Sequence, residues 1–264
     1  MARIAKFISY TLFNLVLFIK NLLLSPFSKL ARYRLYHINQ VLVYPFFGDR
    51  YVELYQLLKD DNLSLTLSPV KARKHNTTEF ELLSICALLK DNSGNAVFEI
   101  GTFDGRTTRA MAQNLLNNDG KIFTLNLPPN TEHVDLVTDK VDVNLASQVV
   151  SGERFLNTAQ QKYIEQIWGD SSTFDFTAFT NKMDMVFIDG AHSKEYVQSD
   201  TNNAIKLIKQ KGGIIIWHDA HLFGVVKFLA PWIEENKLPV YFLKGTTLAV
   251  AAVKNGSIVD IRKN

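Results

Sequence analysis

Three short runs stand out as apolar stretches: Val97–Ile100, interrupted only by Glu99, and the unbroken Met185–Ile188 and Ile214–Trp217. Each is too short for a helix and lacks the alternation of a half-exposed sheet, which predicts strands buried on both faces. Lys121–Leu125 and Ile164–Trp168 read as two further strands between them. Helical periodicity separates these runs: Thr107–Leu116, then Tyr196, Val197, Ala204, Ile205 and Ile208, then Val225–Glu235, interrupted or kinked by Pro231. Thr78-Glu79-Phe80-Glu81 has the form of a capping box and opens a helix through Leu89 ahead of the first strand. Two last runs, Val240–Leu243 and Leu248–Val253, flank the hairpin-compatible loop Lys244–Thr247. The order predicts an α/β domain of five strand–helix units closed by an antiparallel hairpin.

The chain before this domain has a different pattern. Ile4–Phe27 is nearly all apolar, with Lys6, Tyr10, Asn14, Asn21 and Ser25 close to one helical stripe and Lys20 off it. Phe7–Leu24 approaches the ~20 residues a spanning helix needs, but Lys20 at depth costs roughly 2.5–3.5 kcal/mol unless it snorkels. Pro26 ends the helix, and Lys29, Arg32 and Arg34 give the cationic flank that suits an anionic leaflet. No small-residue cleavage site follows, which disfavours a secretory signal peptide. Shallow insertion at a membrane surface, a packed or dimerising helix, and a true span remain three open readings. Tyr36–Leu67 mixes aromatics with a helical Tyr51–Lys59 and reads as a cap or linker, with a lid over substrate as the alternative. The domain plan is therefore an apolar and basic helix over 1–35, a cap or linker over 36–76, and the α/β domain over 77–264.

Composition narrows the function. A chain of 264 residues can bury one large core. Its single cysteine, Cys86, falls on a helical face with Leu82, Leu83 and Leu89, which predicts burial; no disulfide within the chain can form, and this fits a reducing compartment. Before Asp49 there are six basic residues and no acid, so with a formal charge of +3 overall the rest of the chain carries a net −3. That mildly acidic body shows no basic stripe of the kind a nucleic-acid enzyme presents.

The stretch Ala96–Met111, AVFEIGTFDGRTTRAM, is strand, tight loop, helix. Such a loop turns unpaired helix N–H groups and the positive end of the dipole towards whatever sits above the strand. The spacing Glu99-x-Gly101-x-x-x-Gly105 is not the G-x-G-x-x-G of dinucleotide enzymes, and an ordinary strand–helix turn is its plain alternative. It resembles motif I of class I S-adenosylmethionine-dependent methyltransferases, and the resemblance covers Thr77 to Lys254. It implies a Rossmann-like sheet of parallel strands with a C-terminal antiparallel hairpin and helices on both faces. It also implies that Glu99, Gly101, Thr102, Asp104 and Gly105 hold S-adenosylmethionine. Where the family commonly has an acid on the ribose hydroxyls, this chain has Asn126, whose neutral contact is roughly half as strong as a charge-assisted one. Asp170 and Ser171 take the family's adenine-side position, although both suit a helix N-cap equally well. Arg106 either joins Asp104 near the cofactor's amino-acid end or lies on the surface. Within Pro128–Gln161, Gly152-Glu153-Arg154-Phe155 is either a segment that closes over the site or an inert insertion.

Two strand ends carry the candidate chemistry. Met185–Ile188 runs into Asp189-Gly190-Ala191-His192, and Ile214–Trp217 into His218-Asp219-Ala220-His221. Open α/β sheets bind ligands at such carboxyl ends. Methyl transfer from a sulfonium is an in-line displacement, and a hydroxyl nucleophile improves when a base takes its proton or a cation polarises its oxygen. Asp189 and Asp219 are the ligand type for Mg²⁺. Asp189-x-x-His192 resembles the macrocin-type sugar O-methyltransferases, which implies Asp189 on the cation and His192 as the base. Those enzymes often place two acids side by side where this chain has His218-Asp219. His218 either completes a site for a softer ion such as Mn²⁺ or Zn²⁺ or points into the core. His221 is a weaker candidate of the same kind.

The expectation is an S-adenosylmethionine-dependent O-methyltransferase, with Asp189 and His192 catalytic and Asp189, Asp219 and His218 holding Mg²⁺ or another divalent cation. Its acceptor is a hydroxyl of a glycan, glycolipid or small molecule. It sits in the cytoplasm or at the inner face of the membrane through residues 1–35, has no nucleic-acid partner, and has self-association as an open question. A nucleotide-binding oxidoreductase or hydrolase and a catalytically silent membrane-attached protein are the alternatives. Deleting residues 1–35 is expected to release the protein from the membrane fraction on cell fractionation; unchanged sedimentation with membranes would discard the attachment.

Overall fold

The computed structural model describes residues 48–60, 62–129, 131, 134–136 and 149–263, together with Val16, Phe18, Ile19, Lys20 and Leu23, which are helical. The readings made for 1–35 otherwise lie outside the described residues, as does most of 130–148. Among the described residues no helix is long and apolar enough to cross a membrane. The chain divides into two units, Met1–Asp49 and Arg50–Asn264.

In the second unit the elements run β1 (Tyr51–Val52), α1 (Glu79–Asp91), β2 (Ala96–Ile100), α2 (Arg106–Ala112), β3 (Lys121–Asn126), β4 (Ile164–Trp168) and β5 (Met185–Ile188). They continue through α3 (Lys194–Leu207), β6 (Gly213–Trp217), α4 (Phe223–Asn236), β7 (Tyr241–Leu243), β8 (Ala249–Lys254) and β9 (Ser257–Val259). The strands form one sheet in the order β1-β7-β8-β6-β5-β2-β3-β4, with β9 paired to β8. From β4 to β6 every pairing is parallel, whereas β8 is antiparallel to both β6 and β7. This is the expected Rossmann-like sheet with its C-terminal antiparallel hairpin. The hairpin gains a third strand in β9 that the apolar pattern did not announce.

The three apolar runs are the buried centre. Every residue of β5 is buried, as are all but the first of β2 and of β6. The chain passes from β2 to β3 on one side and later returns to β5 on the other, so β2 and β5 flank the topological switch point where such sheets bind ligands. The register pairs Ile100 with Ile188 and Ile188 with Trp217. Gly101, Asp189 and His218 therefore leave three neighbouring strands at one level, tied by Asp189 N–H to Ile100 O at 2.8 Å and His218 N–H to Ile188 O at 2.9 Å. Gly101 has φ +98°, and a Cβ there would sit 2.0 Å from the Asp189 carbonyl oxygen, so only glycine lets the loop leave β2 beside β5.

Several local readings differ from the structure. The predicted helix Tyr51–Lys59 is instead the short edge strand β1, parallel to β7, followed by a 3₁₀ turn at Leu54–Gln56. Sheet pairing wins there over helical spacing in a short aromatic segment. The helix predicted to Leu116 stops at Ala112, because the Asn114 amide donates to Ala110 O and Thr66 O, both at 2.8 Å, and competes with the backbone ladder. Helix α4 runs through Pro231 without ending. Between β4 and β5 there is no α-helix; Phe174, Phe176 and Phe179 pack on Phe98 of β2 with ring centroids 5.0–6.5 Å apart. Cys86 is fully buried, and burial pushes its thiol up to about 12.

Phe98→Ala is expected to cost about 3–5 kcal/mol, because it empties the centre of this aromatic cluster under β2. Urea unfolding followed by circular dichroism measures that loss as a lower midpoint.

Candidate functional site

The glycine loop is braced from below and from one side. Glu99 points under it, and its Oε2 accepts hydrogen bonds from Thr108 of α2 and from Thr124 of β3 at 2.6 Å. Burial, together with the charge of Asp189, outweighs these bonds and holds the Glu99 carboxyl up at about 8. Thr102 is buried, its hydroxyl 2.6 Å from that of Thr124 and its N–H bonded to Asn126 Oδ1 at 3.3 Å. Asp104 is 1% exposed: Oδ1 accepts from Asn76 Nδ2 at 3.0 Å and Arg106 N–H at 3.1 Å, while Oδ2 accepts from Arg154 Nε at 3.1 Å. Arg106 is buried, not a surface residue; it donates to Thr77 O and pairs with Glu79 at 2.8 Å, joining α2 to the start of α1.

The segment Gly152–Phe155 lies against this loop. Gly152 N–H bonds Phe103 O at 3.0 Å, Arg154 N–H bonds Asp104 O at 2.9 Å, and the Phe155 ring fills the space beside Gly105. Next to it, Ser151 Oγ accepts from Asn126 Nδ2 at 3.0 Å and from Gln166 Nε2 at 2.7 Å. Asn126 is thus engaged at both ends of its amide, by Thr102 and by Ser151. Asp170 follows β4, but no α-helix starts there; Oδ1 accepts from Ser172 N–H at 2.9 Å and Oγ at 2.7 Å, and Oδ2 from Tyr196 OH at 2.7 Å. Against the pull of burial, these donors hold the Asp170 carboxyl below its ordinary range. Ser171 is buried and near Asp200 of α3, which burial pushes up to about 7.

Across the switch point the Asp and His residues meet. His218 Nδ1 lies 2.9 Å from Asp189 Oδ1 and 3.6 Å from Asp219 Oδ2; His192 Nε2 is 3.4 Å from Asp219 Oδ2, and His221 Nδ1 is 3.9 Å from Asp219 Oδ1. Strand alternation would send His218 and Asp219 to opposite faces. Asp219 instead adopts a left-handed turn at φ +50°, its N–H bonded to Thr247 Oγ1 at 3.3 Å, which brings both side chains to one centre. His192 precedes Ser193, whose hydroxyl caps α3, and its carbonyl rests against Gly224 of α4, where a Cβ would come within 2.0 Å.

Charge follows this geometry. Burial alone would pull the His218 imidazole down, but Asp189, with Asp219 and Glu81, more than offsets it and holds His218 well above its ordinary value. Burial would raise Asp219, yet His192 and His218 hold it far below the carboxylate range, while burial lowers His221.

The residues suit a divalent cation. Asp189, His218 and Asp219 each present one ligand atom, all within 4.8 Å of one another. His218 Nδ1 is buried among them without a hydrogen bond of directional geometry, as an imidazole aimed at a shared centre would be. Sequence reasoning missed Glu81 and Thr247 here. Glu81 was legible only as a helix cap, yet it is 3% exposed and its Oε2 lies 3.5 Å from His218 Nε2.

Residues 98–220 match the family described as Methyltransferase domain. No curated protein matches the chain. Among solved structures, cofactor-bound Rv0187 from MTB is similar at 18% identity over 70% of this chain and 84% of its own, with a TM-score of 0.51, a likeness of fold. An O-methyltransferase from Bacillus cereus in complex with SAH is 17% identical over 69% of this chain and 84% of its own, with a TM-score of 0.49. The O-methyltransferase TomG from Streptomyces achromogenes, involved in tomaymycin synthesis and in complex with SAM, is 18% identical over 68% and 81%, with a TM-score of 0.48.

Glu99 gives a pH test of the loop's foundation. The folded protein keeps its proton up to about 8, whereas the unfolded chain releases it near 4.5. The benefit is complete below the lower value and lost as pH rises through the higher one. Glu99→Gln is expected to flatten the fall in stability between those pH values and to gain on the order of 1–3 kcal/mol at the alkaline end, measured by urea unfolding in the presence of a chelator.

Proposed function

We propose that this methyltransferase domain transfers the methyl group of S-adenosylmethionine to a hydroxyl oxygen of a glycan, glycolipid or small molecule. One observation carries the reading: the register sets the glycine loop and the Asp189–His218–Asp219–His192 cluster at adjoining strand ends around one switch point.

In this reading the loop backbone after β2 receives the amino-acid end of the cofactor, with Gly101 and Gly105 allowing close approach, and Glu99, Thr102 and Asp104 hold the loop in shape. Asn126 and Ser151 line the ribose side, and Asp170 and Ser171 the adenine side. His192 takes the proton of the acceptor hydroxyl, and Asp219, 3.4 Å away, stabilises the imidazolium that forms. As the oxygen bonds to the methyl carbon, the carbon–sulfur bond breaks and its electron pair stays on sulfur, giving S-adenosylhomocysteine. Such a base contributes about 10²–10⁴-fold. A divalent cation on Asp189, Asp219 and His218 supplies polarisation of the acceptor oxygen when bound.

Calorimetry is expected to show S-adenosylhomocysteine binding in preference to nicotinamide nucleotides; the reverse preference would overturn the reading. His192→Ala and Asp189→Asn are expected to lower kcat by about 10²–10⁴-fold while the S-adenosylhomocysteine affinity stays within about threefold. Unchanged turnover would remove both residues from the chemistry.

A further inference from the structure

Glu81 serves two structures at once. As the third residue of α1 its Oε2 accepts from Thr78 N–H at 2.8 Å and Thr78 Oγ1 at 2.9 Å, closing the helix cap. Its Oε1 accepts from Thr247 N–H at 2.8 Å and Thr247 Oγ1 at 2.7 Å. Four donors thus converge on its two oxygens and hold the buried carboxylate still, 3.5 Å from His218 Nε2. On the opposite edge of the same ring, Nδ1 faces Asp189 Oδ1 and Asp219 Oδ2 at 2.9 and 3.6 Å. The ring has little room to turn, since it is 8% exposed and meets the Phe187 ring edge-on at 6.2 Å.

A fixed negative charge beside one ring nitrogen favours the tautomer that keeps its proton there and leaves the lone pair on the other. We infer that Glu81 sets His218 as a nitrogen donor and thereby makes the Asp189–His218–Asp219 site one for an imidazole-accepting transition ion, of the Fe²⁺, Co²⁺ or Zn²⁺ class, rather than for Mg²⁺. Magnesium asks for oxygen ligands in near-ideal octahedral geometry, whereas these ions accept imidazole beside carboxylate. Glu81 touches neither ion nor acceptor; it is a positioning residue. The inference rests on the metal-assisted reading of the same site.

The test uses the full chain without S-adenosylmethionine, titrated with Co²⁺ by visible absorption, with Mg²⁺ as competitor, and with proton NMR of the Co²⁺-loaded protein. The wild type is expected to take up one Co²⁺ and to show a slowly exchanging, hyperfine-shifted imidazole N–H that is absent in His218→Asp. Glu81→Gln is expected to weaken Co²⁺ binding by about 10–100-fold. Thr78→Ala, which removes the cap hydroxyl and keeps the Glu81 charge, is expected to stay within about threefold of wild type, separating the charge from the helix cap. His218→Asp is expected to reduce the preference for Co²⁺ over Mg²⁺ at least about tenfold, and decides the matter alone if Glu81→Gln does not fold. No Co²⁺ uptake, equal weakening by Thr78→Ala and Glu81→Gln, or an unchanged ion preference in His218→Asp would each overturn the inference. S-adenosylhomocysteine calorimetry on the same samples separates the two levels. Nucleoside binding without Co²⁺ uptake defeats only this inference, and loss of nucleoside binding defeats the methyltransferase reading.

Discussion

The site depends on strand register. With Ile100 paired to Ile188 and Ile188 to Trp217, the first residue beyond each strand arrives at the same height, and those residues are Gly101, Asp189 and His218. A slip by one residue would invert the faces of a strand whose residues are buried on both sides, and the core forbids it. The missing Cβ at Gly101 lets the loop pass against the carbonyl of Asp189. Position in the sheet, more than any one hydrogen bond, brings the glycine loop and the acid–imidazole cluster together.

Second to register comes the bracing of the loop. Few of its polar side chains are spare: Glu99 is held by two threonines, Asp104 by an asparagine and an arginine, and Asn126 by Thr102 and Ser151. Buried polar groups tied in this way rigidify their surroundings, and a loop so held keeps its N–H groups aimed without further reorganisation. The acidic residues Glu99 and Asp104 join the loop to its neighbours.

Much of this was legible from the residues. The three apolar runs gave β2, β5 and β6, which are buried on both faces, and the glycine spacing with the two Asp-His strand ends marked the switch point. Less legible were features that depend on partners distant in sequence. Tyr51–Val52 is a strand only because β7 is beside it. Glu81 looked like an ordinary cap because nothing local reveals that Thr247 and His218 converge on it from 166 and 137 residues away. Strand alternation left His218 between site and core, and the backbone turn at Asp219 that resolves this leaves no mark in an apolar pattern.

That turn also bears on how the protein can change. Asp219 holds a left-handed conformation at φ +50°, which an L-residue adopts at a cost and glycine adopts freely. Replacement by glycine would relax the backbone and delete the carboxylate that both His192 and His218 face. Selection for heat resistance alone would therefore pull this position towards glycine, so the cluster's central carboxylate is held at the cost of one backbone angle.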